Sequence, residues 1–384
     1  MDFEKLFLES KEEALFGRYI TLENIHPILN TLNKNNNLNV VGKSVEGKDI
    51  HSYIIGTGKI KILIWSQMHG NESTTTKALF DLLKLLNSES EWAEKLLNHF
   101  TFYCIPMLNP DGAKNYTRVN ANEVDLNRDF QTLSQPESQL LRRIHAEFKP
   151  DFCYNLHDQR TIFASGDTNN SATVSFLAPS FDESRALNEV RKKAMCVIVA
   201  MNDVLQALIP GQVGRFDDGF NLNCVGDTFT YLETPTVLFE AGHFQGDYDR
   251  EITRKYIFIA LLSGLKYINE NDIVCDKTDE YFHIPQNKPI FYDFIYKNIK
   301  INYDNRQIIT NFAIQFKEVL VGKQIEFVAT LADIGDLNEN LGHFEFDAEE
   351  KVYSDGKTNI PKIGQNFDFY LGDNVKIVNG LPIL

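Results

Sequence analysis

The stretch KILIWSQMHGNESTTTKALFDLLKLL, running from Lys61 to Leu86, changes character twice. Its opening run, Lys61 to Gln67, is β-rich and nearly free of polar breaks, the pattern of a short strand buried on both faces of a sheet. From Ser73 onward Leu79, Leu82, Leu83 and Leu86 are spaced to share one face of a helix. A buried strand turning directly into an amphipathic helix is the repeating unit of an α/β domain.

The same strand signal recurs downstream in TFYCIPM (Thr101–Met107), DFCYNL (Asp151–Leu156), VSFLA (Val174–Ala178) and TVLFE (Thr236–Glu240). Helical spacing predicts helices over 135–148, 183–208 and 249–268. Upstream, residues 1–36 look helical and polar and run into the soft NKNNN segment. LNVVGKSVEGKDIHSYIIG, Leu38 to Gly56, alternates about a Glu46-Gly47 turn and predicts a β-hairpin. The fold class expected is therefore α/β, a mixed, largely parallel sheet flanked by helices. After about Asp276 helical periods vanish, and runs such as IKINY, QIEFVATL, FDFYLG and VKIVNG alternate with Gly, Asn and Asp turns. That predicts a small all-β domain, a sandwich or barrel, with boundaries at 1–275 and 276–384.

Composition narrows the chemistry. With 38 basic against 53 acidic side chains the net charge is −15, which argues against a nucleic-acid binder that must neutralise phosphates. The five cysteines (Cys104, Cys153, Cys196, Cys224 and Cys275) are odd in number and widely spaced, unlike a disulfide framework or a thiolate zinc cluster. Cys104, Cys153 and Cys196 sit in apolar runs, where a buried inert thiol is expected. The N-terminus is too acidic for a secretory signal, and no apolar run reaches the roughly 20 residues of a membrane span. The expectation is a cytoplasmic protein with no membrane and no nucleic-acid partner.

Polar residues gather at the carboxyl ends of the predicted strands, where open α/β sheets build their sites. His69 and Glu72 follow the first strand and lie one helical turn apart, and His157 ends DFCYNL. Two histidines and a carboxylate form a three-ligand set for catalytic zinc with the fourth position left for water. Either motif alone would read as capping or surface chemistry; together, on adjacent strand ends, they favour a metal. Beyond TFYCIPM, the turn Asn109-Pro110-Asp111-Gly112 leads to Arg118 and then to VDLNRDF, Val124 to Phe130. Arg118 and Arg128 beside Asn127 suit a substrate carboxylate, although the same loop could be turn chemistry on an acidic surface. Glu240 ends an otherwise apolar strand, a costly place for a carboxylate unless it is solvated or serves as a general base.

The series GKSVEGKDI, HGNE, NPDG, RVNANEVDLNRDF, NLH and FEAG, from about Val40 to Gly242, resembles the zinc carboxypeptidases. The resemblance implies Zn²⁺ on His69, Glu72 and His157, with Asp125 orienting His69. It implies Glu240 as general base for the attacking water, Arg118 as oxyanion stabiliser, and Asn127 with Arg128 as a clamp on the terminal carboxylate. The substrate it implies is a peptide with a free carboxylate. Two departures stand out. The family's mobile tyrosine has no counterpart between Thr161 and Thr230, where Phe220 and Phe229 cannot donate a hydrogen bond. After His157 the chain reads Asp158-Gln159-Arg160, so Arg160 is either a further substrate contact or a partner for Asp158. The site residues also fit an amidohydrolase of small N-acyl amino acids, like aspartoacylase or succinylglutamate desuccinylase. A non-catalytic binding module is the third reading, disfavoured because ligands, base and Arg118 are all retained.

Overall fold

The computed structural model describes residues 2–33, 36–271, 277–303 and 306–383. The described chain divides into two compact units, Met1–Gln159 with Ser165–Asn287, and Arg160–Ala164 with Lys288–Leu384. The boundary expected at residues 275 and 276 lies outside the described residues, as does Cys275.

The first unit is built on strands β1 (Leu38–Lys43), β2 (Asp49–Ile55), β3 (Ile60–Trp65), β4 (Phe100–Ile105), β5 (Phe152–Asp158) and, beyond the short β6 (Phe163–Ser165), β7 (Val174–Leu177), β8 (Val213–Arg215) and β9 (Thr236–Ala241). Eight of these form one sheet in the order β1-β2-β4-β3-β5-β9-β7-β8. Its centre, β4-β3-β5-β9, is parallel throughout; β1 pairs antiparallel with β2, β2 with β4 and β7 with β9, while β8 runs parallel to β7. This is the mixed, largely parallel sheet that the apolar runs predict.

The helices are α1 (Phe3–Ser10), α2 (Leu22–Leu32), α3 (Thr74–Leu86), α4 (Glu91–His99), α5 (Pro110–Asn115), α6 (Pro136–Phe148), α7 (Glu189–Gln206), α8 (Val225–Tyr231), α9 (Glu251–Glu270) and α10 (Thr278–His283). Helices α3, α7 and α9 pack on one face of the sheet around Ile62, Ile64, Leu79, Leu83, Ile198 and Leu261. The opposite face is covered from α6 and α8 through Leu63, Trp65, Leu141 and Phe229. Because β3 has Ile62 and Ile64 on one side and Leu63 and Trp65 on the other, its sequence is apolar at every position from Ile62 to Trp65.

The N-terminal region departs from the continuous helical pattern expected over 1–36. Between α1 and α2 the chain is irregular, because core side chains capture its carbonyls. Arg254 donates to the oxygens of Glu12 and Leu15, Ser73 to Arg18, and Gln67 to Ile20. A backbone committed to such bonds cannot close helical ones. A second correction concerns Cys196, which is disulfide-bonded rather than an inert thiol; Cys104, Cys153 and Cys224 are free. Among the described residues no helix is long and apolar enough to cross a membrane.

In the second unit, after the short β10 (Asn287–Pro289), strands β11 (Phe291–Tyr303), β12 (Arg306–Val321), β13 (Gln324–Gly335) and β14 (Leu341–Asp347) form a sheet in the order β13-β12-β11-β14. Strands β15 (Tyr353–Ser354), β16 (Phe369–Leu371), β17 (Val375–Val378) and β18 (Leu381–Ile383) form another. The two share a core rich in aromatic rings, including Phe294, Tyr296, Phe312, Tyr353, Phe367 and Phe369. The five residues 160–164 are held within this unit: Thr161 accepts from His343 Nε2 at 2.9 Å and Ile162 from the Phe291 N–H at 3.0 Å.

Candidate metal centre

The turn after β3 is zipped to the segment after β4 by backbone bonds from Ser66 to Ile105, Leu108 to Ser66 and Asn109 to Gln67. Asn109 caps α5 by accepting from the Gly112 N–H, and its amide donates to the Met68 carbonyl. Gly70 is required here, since a Cβ at that position would sit 1.9 Å from the carbonyl carbon of Gly112. Gln67 adopts a left-handed φ of 43°, costly without a glycine, and is held by donations from its amide to Ile20 and Gly70. The Glu72 N–H then closes one turn onto the His69 carbonyl, so both side chains aim the same way.

Strand β5 delivers His157 to that point. Glu72 Oε1 lies 2.8 Å from His69 Nδ1, Glu72 Oε2 lies 2.8 Å from His157 Nδ1, and the two Nδ1 atoms are 3.1 Å apart. All three residues are buried, and their ligand atoms lie within 4.8 Å of one another. His69 Nε2 is 3.0 Å from Asp125 Oδ1, which places its proton on Nε2 and leaves a lone pair on Nδ1. Donor atoms of two imidazoles and a carboxylate thus converge on one point, an arrangement a cation can occupy. Two nitrogens and one oxygen match the donor set of zinc with an open fourth position.

Charges around the cluster are interlocked. Burial would raise the Glu72 carboxyl, but the two imidazoles hold it well below its ordinary range. His69 is raised despite burial because Glu72 and Asp125 favour its charged form, whereas burial lowers His157. Asp125 lies well below the ordinary range: against the cost of burial it gains His69 and Arg118. Arg118 bridges the two carboxylates, its Nε 3.0 Å from Asp125 and a terminal nitrogen 3.2 Å from Glu72, with its side chain still half exposed.

Glu240 on β9 is the register partner of His157 on β5. Burial pushes its carboxyl well above the ordinary range, and the charges of Glu72 and Asp158 push it further the same way. Asn127 and Arg128 lie on a single 3₁₀ turn capped by Asp125. The Asn127 side-chain oxygen Oδ1 accepts from the Val225 N–H at the start of α8. Arg128 is exposed and contacts the Asn127 carbonyl and the Cys224 sulfur. Phe229 is a core residue, packed edge-on to Trp65 at 5.6 Å.

One residue at the site, Arg250, escapes the sequence reading, while Asp158, read there only as a charge next to His157, takes on a positioning role. Asp158 accepts from the N–H groups of Thr74 and Thr75 at the start of α3, and its own N–H donates to Glu72. Its position directly after a candidate ligand was the available signal. Arg250, buried at the start of α9, reaches the ends of β5 and β9, and nothing local in its sequence marks it. Arg160 is exposed and belongs to the second unit.

Comparison with known proteins agrees with this geometry. Residues 28–153 match the sequence model of the zinc carboxypeptidase family. Carboxypeptidase 2 of Trichophyton rubrum is 31% identical over 100 residues, which is 26% of this chain and 19% of that protein. The chain thus spans about a fifth of the length of the curated relatives it matches. Among solved structures, carboxypeptidase A from Helicoverpa armigera superposes with a TM-score of 0.54 at 18% identity, over 70% of this chain and 80% of that one. A metallo-carboxypeptidase from Pseudomonas aeruginosa, in complex with (2-guanidinoethylmercapto)succinic acid, gives 0.50 at 18% identity, over 63% and 67%. At that identity the likeness concerns the fold.

Proposed function

We propose, for a chain that belongs to the zinc carboxypeptidase family over residues 28–153 and has that family's fold, that it is a zinc-dependent hydrolase removing C-terminal residues from peptides. The observation that carries this reading is the convergence of His69, Glu72 and His157 on one point, with Glu240 in register on the neighbouring strand. Zinc held by the three ligands supplies a Lewis acid for the scissile carbonyl and lowers the pKa of water.

The remaining work falls to side chains. Glu240 takes the proton of the attacking water and delivers it to the leaving amine, a role worth about 10²–10⁴-fold. Arg118 turns its half-exposed guanidinium to the oxyanion, a contact worth roughly 3 kcal/mol. Asp125 holds Arg118 and His69 with one carboxylate and so fixes their separation. The side-chain amide of Asn127 and the guanidinium of Arg128 bind the terminal carboxylate and restrict cleavage to the chain end.

The test is product analysis by mass spectrometry of zinc-loaded protein on mixed peptides with free C-termini and, separately, on small N-acyl amino acids. Glu240→Gln serves as the blank. Stepwise loss of C-terminal residues is expected. Release of amino acid from the acyl pool alone would transfer the chain to the amidohydrolases, and no product from either pool would reject hydrolysis.

A further inference from the structure

Beyond the residues that face the reaction, the strand ends carrying them need a fixed separation. His157 and Glu240 are register partners on β5 and β9, and the next pair is Asp158 with Ala241. The ladder then stops, apart from one bond from the Gln159 N–H to the Ala241 carbonyl at 2.8 Å. Beyond it Gln159 Nε2 donates to the Ala172 carbonyl and the Gly242 N–H to the Thr173 carbonyl, so the two strand ends are tied to residues 172–173 rather than directly to each other.

Arg250 closes this gap from α9. Its side chain is 1% exposed. One terminal nitrogen donates to the Ala241 carbonyl at 2.9 Å and the other to the Gln159 carbonyl at 2.6 Å, so one planar fork spans both strand ends. The first nitrogen also lies 3.7 Å from Asp158 Oδ2. Asp158 in turn caps α3 through Thr74 and Thr75 and donates its N–H to Glu72. The residue adopts a left-handed φ of 57° to reach this position, where a β-carbon is disfavoured. A single buried cation therefore bonds the end of the strand bearing His157 and the end of the strand bearing Glu240, and lies beside the carboxylate of Asp158, whose backbone N–H holds Glu72.

We propose that Arg250 is a positioning residue that sets the spacing of Glu240 from the metal ligands by clamping the carbonyls of Gln159 and Ala241. It acts through the backbone and touches neither substrate nor metal. Lysine in its place keeps the charge but cannot span two carbonyls with a rigid fork. The proposal rests on the carboxypeptidase reading for its catalytic half; its metal-binding half stands without it.

The experiment compares wild type, Arg250→Lys, Arg250→Ala and Arg254→Lys as full-length chains. Arg254 is an equally buried arginine paired with Asp81, outside the site, and serves as the control for lost stability. Zinc affinity is measured by competition with a chromophoric chelator, and kcat and KM on the peptide identified above. Expected for Arg250→Lys is zinc binding weakened about 10-fold or more and kcat lowered about 10–100-fold at unchanged KM, the range for groups that orient ligands. Added guanidinium at low millimolar concentration should restore part of the zinc affinity of Arg250→Ala and none to Arg254→Lys. Wild-type zinc affinity in folded Arg250→Lys, or equal losses in Arg254→Lys, would overturn the proposal. So would failure of both Arg250 variants to fold while Arg254→Lys folds, since Arg250 would then serve the fold alone. If the wild type releases no C-terminal residue, the carboxypeptidase reading fails while the zinc competition still decides for Arg250.

Discussion

Asp125 offers the sharpest test of how the centre is built, because its two oxygens do different work. Oδ1 accepts from His69 Nε2 at 3.0 Å and from the Asn127 N–H at 2.9 Å, while Oδ2 accepts from Arg118 Nε at 3.0 Å. In Asp125→Asn the amide oxygen can keep the bonds to His69 and Asn127, but its NH₂ then meets the Arg118 N–H, donor against donor. In Asp125→Ala both acceptor oxygens and all three bonds are gone. Groups that orient a metal-bound histidine are worth about 10–100-fold in metal affinity, or about 1.4–2.7 kcal/mol. Asparagine should therefore fall near the 10-fold end and alanine near the 100-fold end. Turnover should drop in both, because Arg118 loses the partner that holds it over the cluster. The assay is zinc competition against a chromophoric chelator at fixed pH, with circular dichroism to confirm folding. Zinc affinity within twofold of wild type in both variants, or weaker binding by asparagine than by alanine, would refute the division of labour between the two oxygens.

Arg128→Ala should raise KM for peptides with a free C-terminus and leave hydrolysis of amidated analogues unchanged; equal losses on both would reject the clamp. Asp81→Ala removes two of the bonds of the buried Arg254 guanidinium but leaves its contacts to Glu251 and to the carbonyls of Glu12 and Leu15, and should cost about 1.5–3 kcal/mol in urea unfolding. His145 gives a pH signature. Burial, aided by the Arg142 charge, lowers its pKa to about 4 in a site where Nε2 bonds Thr234 and the ring stacks on Phe229. The unfolded chain takes up that proton near pH 6.5 and the folded chain only near 4, so its contribution is complete above 6.5 and lost as pH falls toward 4. The loss amounts to at most about 3 kcal/mol, and unfolding of His145→Gln between pH 7 and 5 should show a shallower slope than wild type.

The middle of the sheet could be read from sequence because strands such as β3 and β5 are buried on both faces and each main helix keeps an apolar stripe. Helix α3 was expected to begin at Ser73 and begins at Thr74. The N-terminal segment was misread for a physical reason: its local pattern favours helix, but Arg254, Ser73 and Gln67 compete for its carbonyls from distant positions. At the site, His69, Glu72 and His157 were visible because side-chain chemistry at strand ends has a residue signature. Arg250 had none, since its partners are main-chain oxygens, one of them 91 residues away, and any sequence could supply those. The contact of Asn127 with the start of α8 was hidden for the same reason.

The second unit is not a continuous piece of chain. It includes five residues, Arg160 to Ala164, that precede much of the first unit in sequence. During synthesis those residues emerge long before β11, so the carbonyls of Thr161 and Ile162 must wait in water for His343 and Phe291. Cutting the chain after Asn287 would return them permanently to that waiting state. The β unit therefore cannot be excised or grafted as a cassette: any transplant must carry the loop after Gln159 with it, and any truncation must redesign that loop.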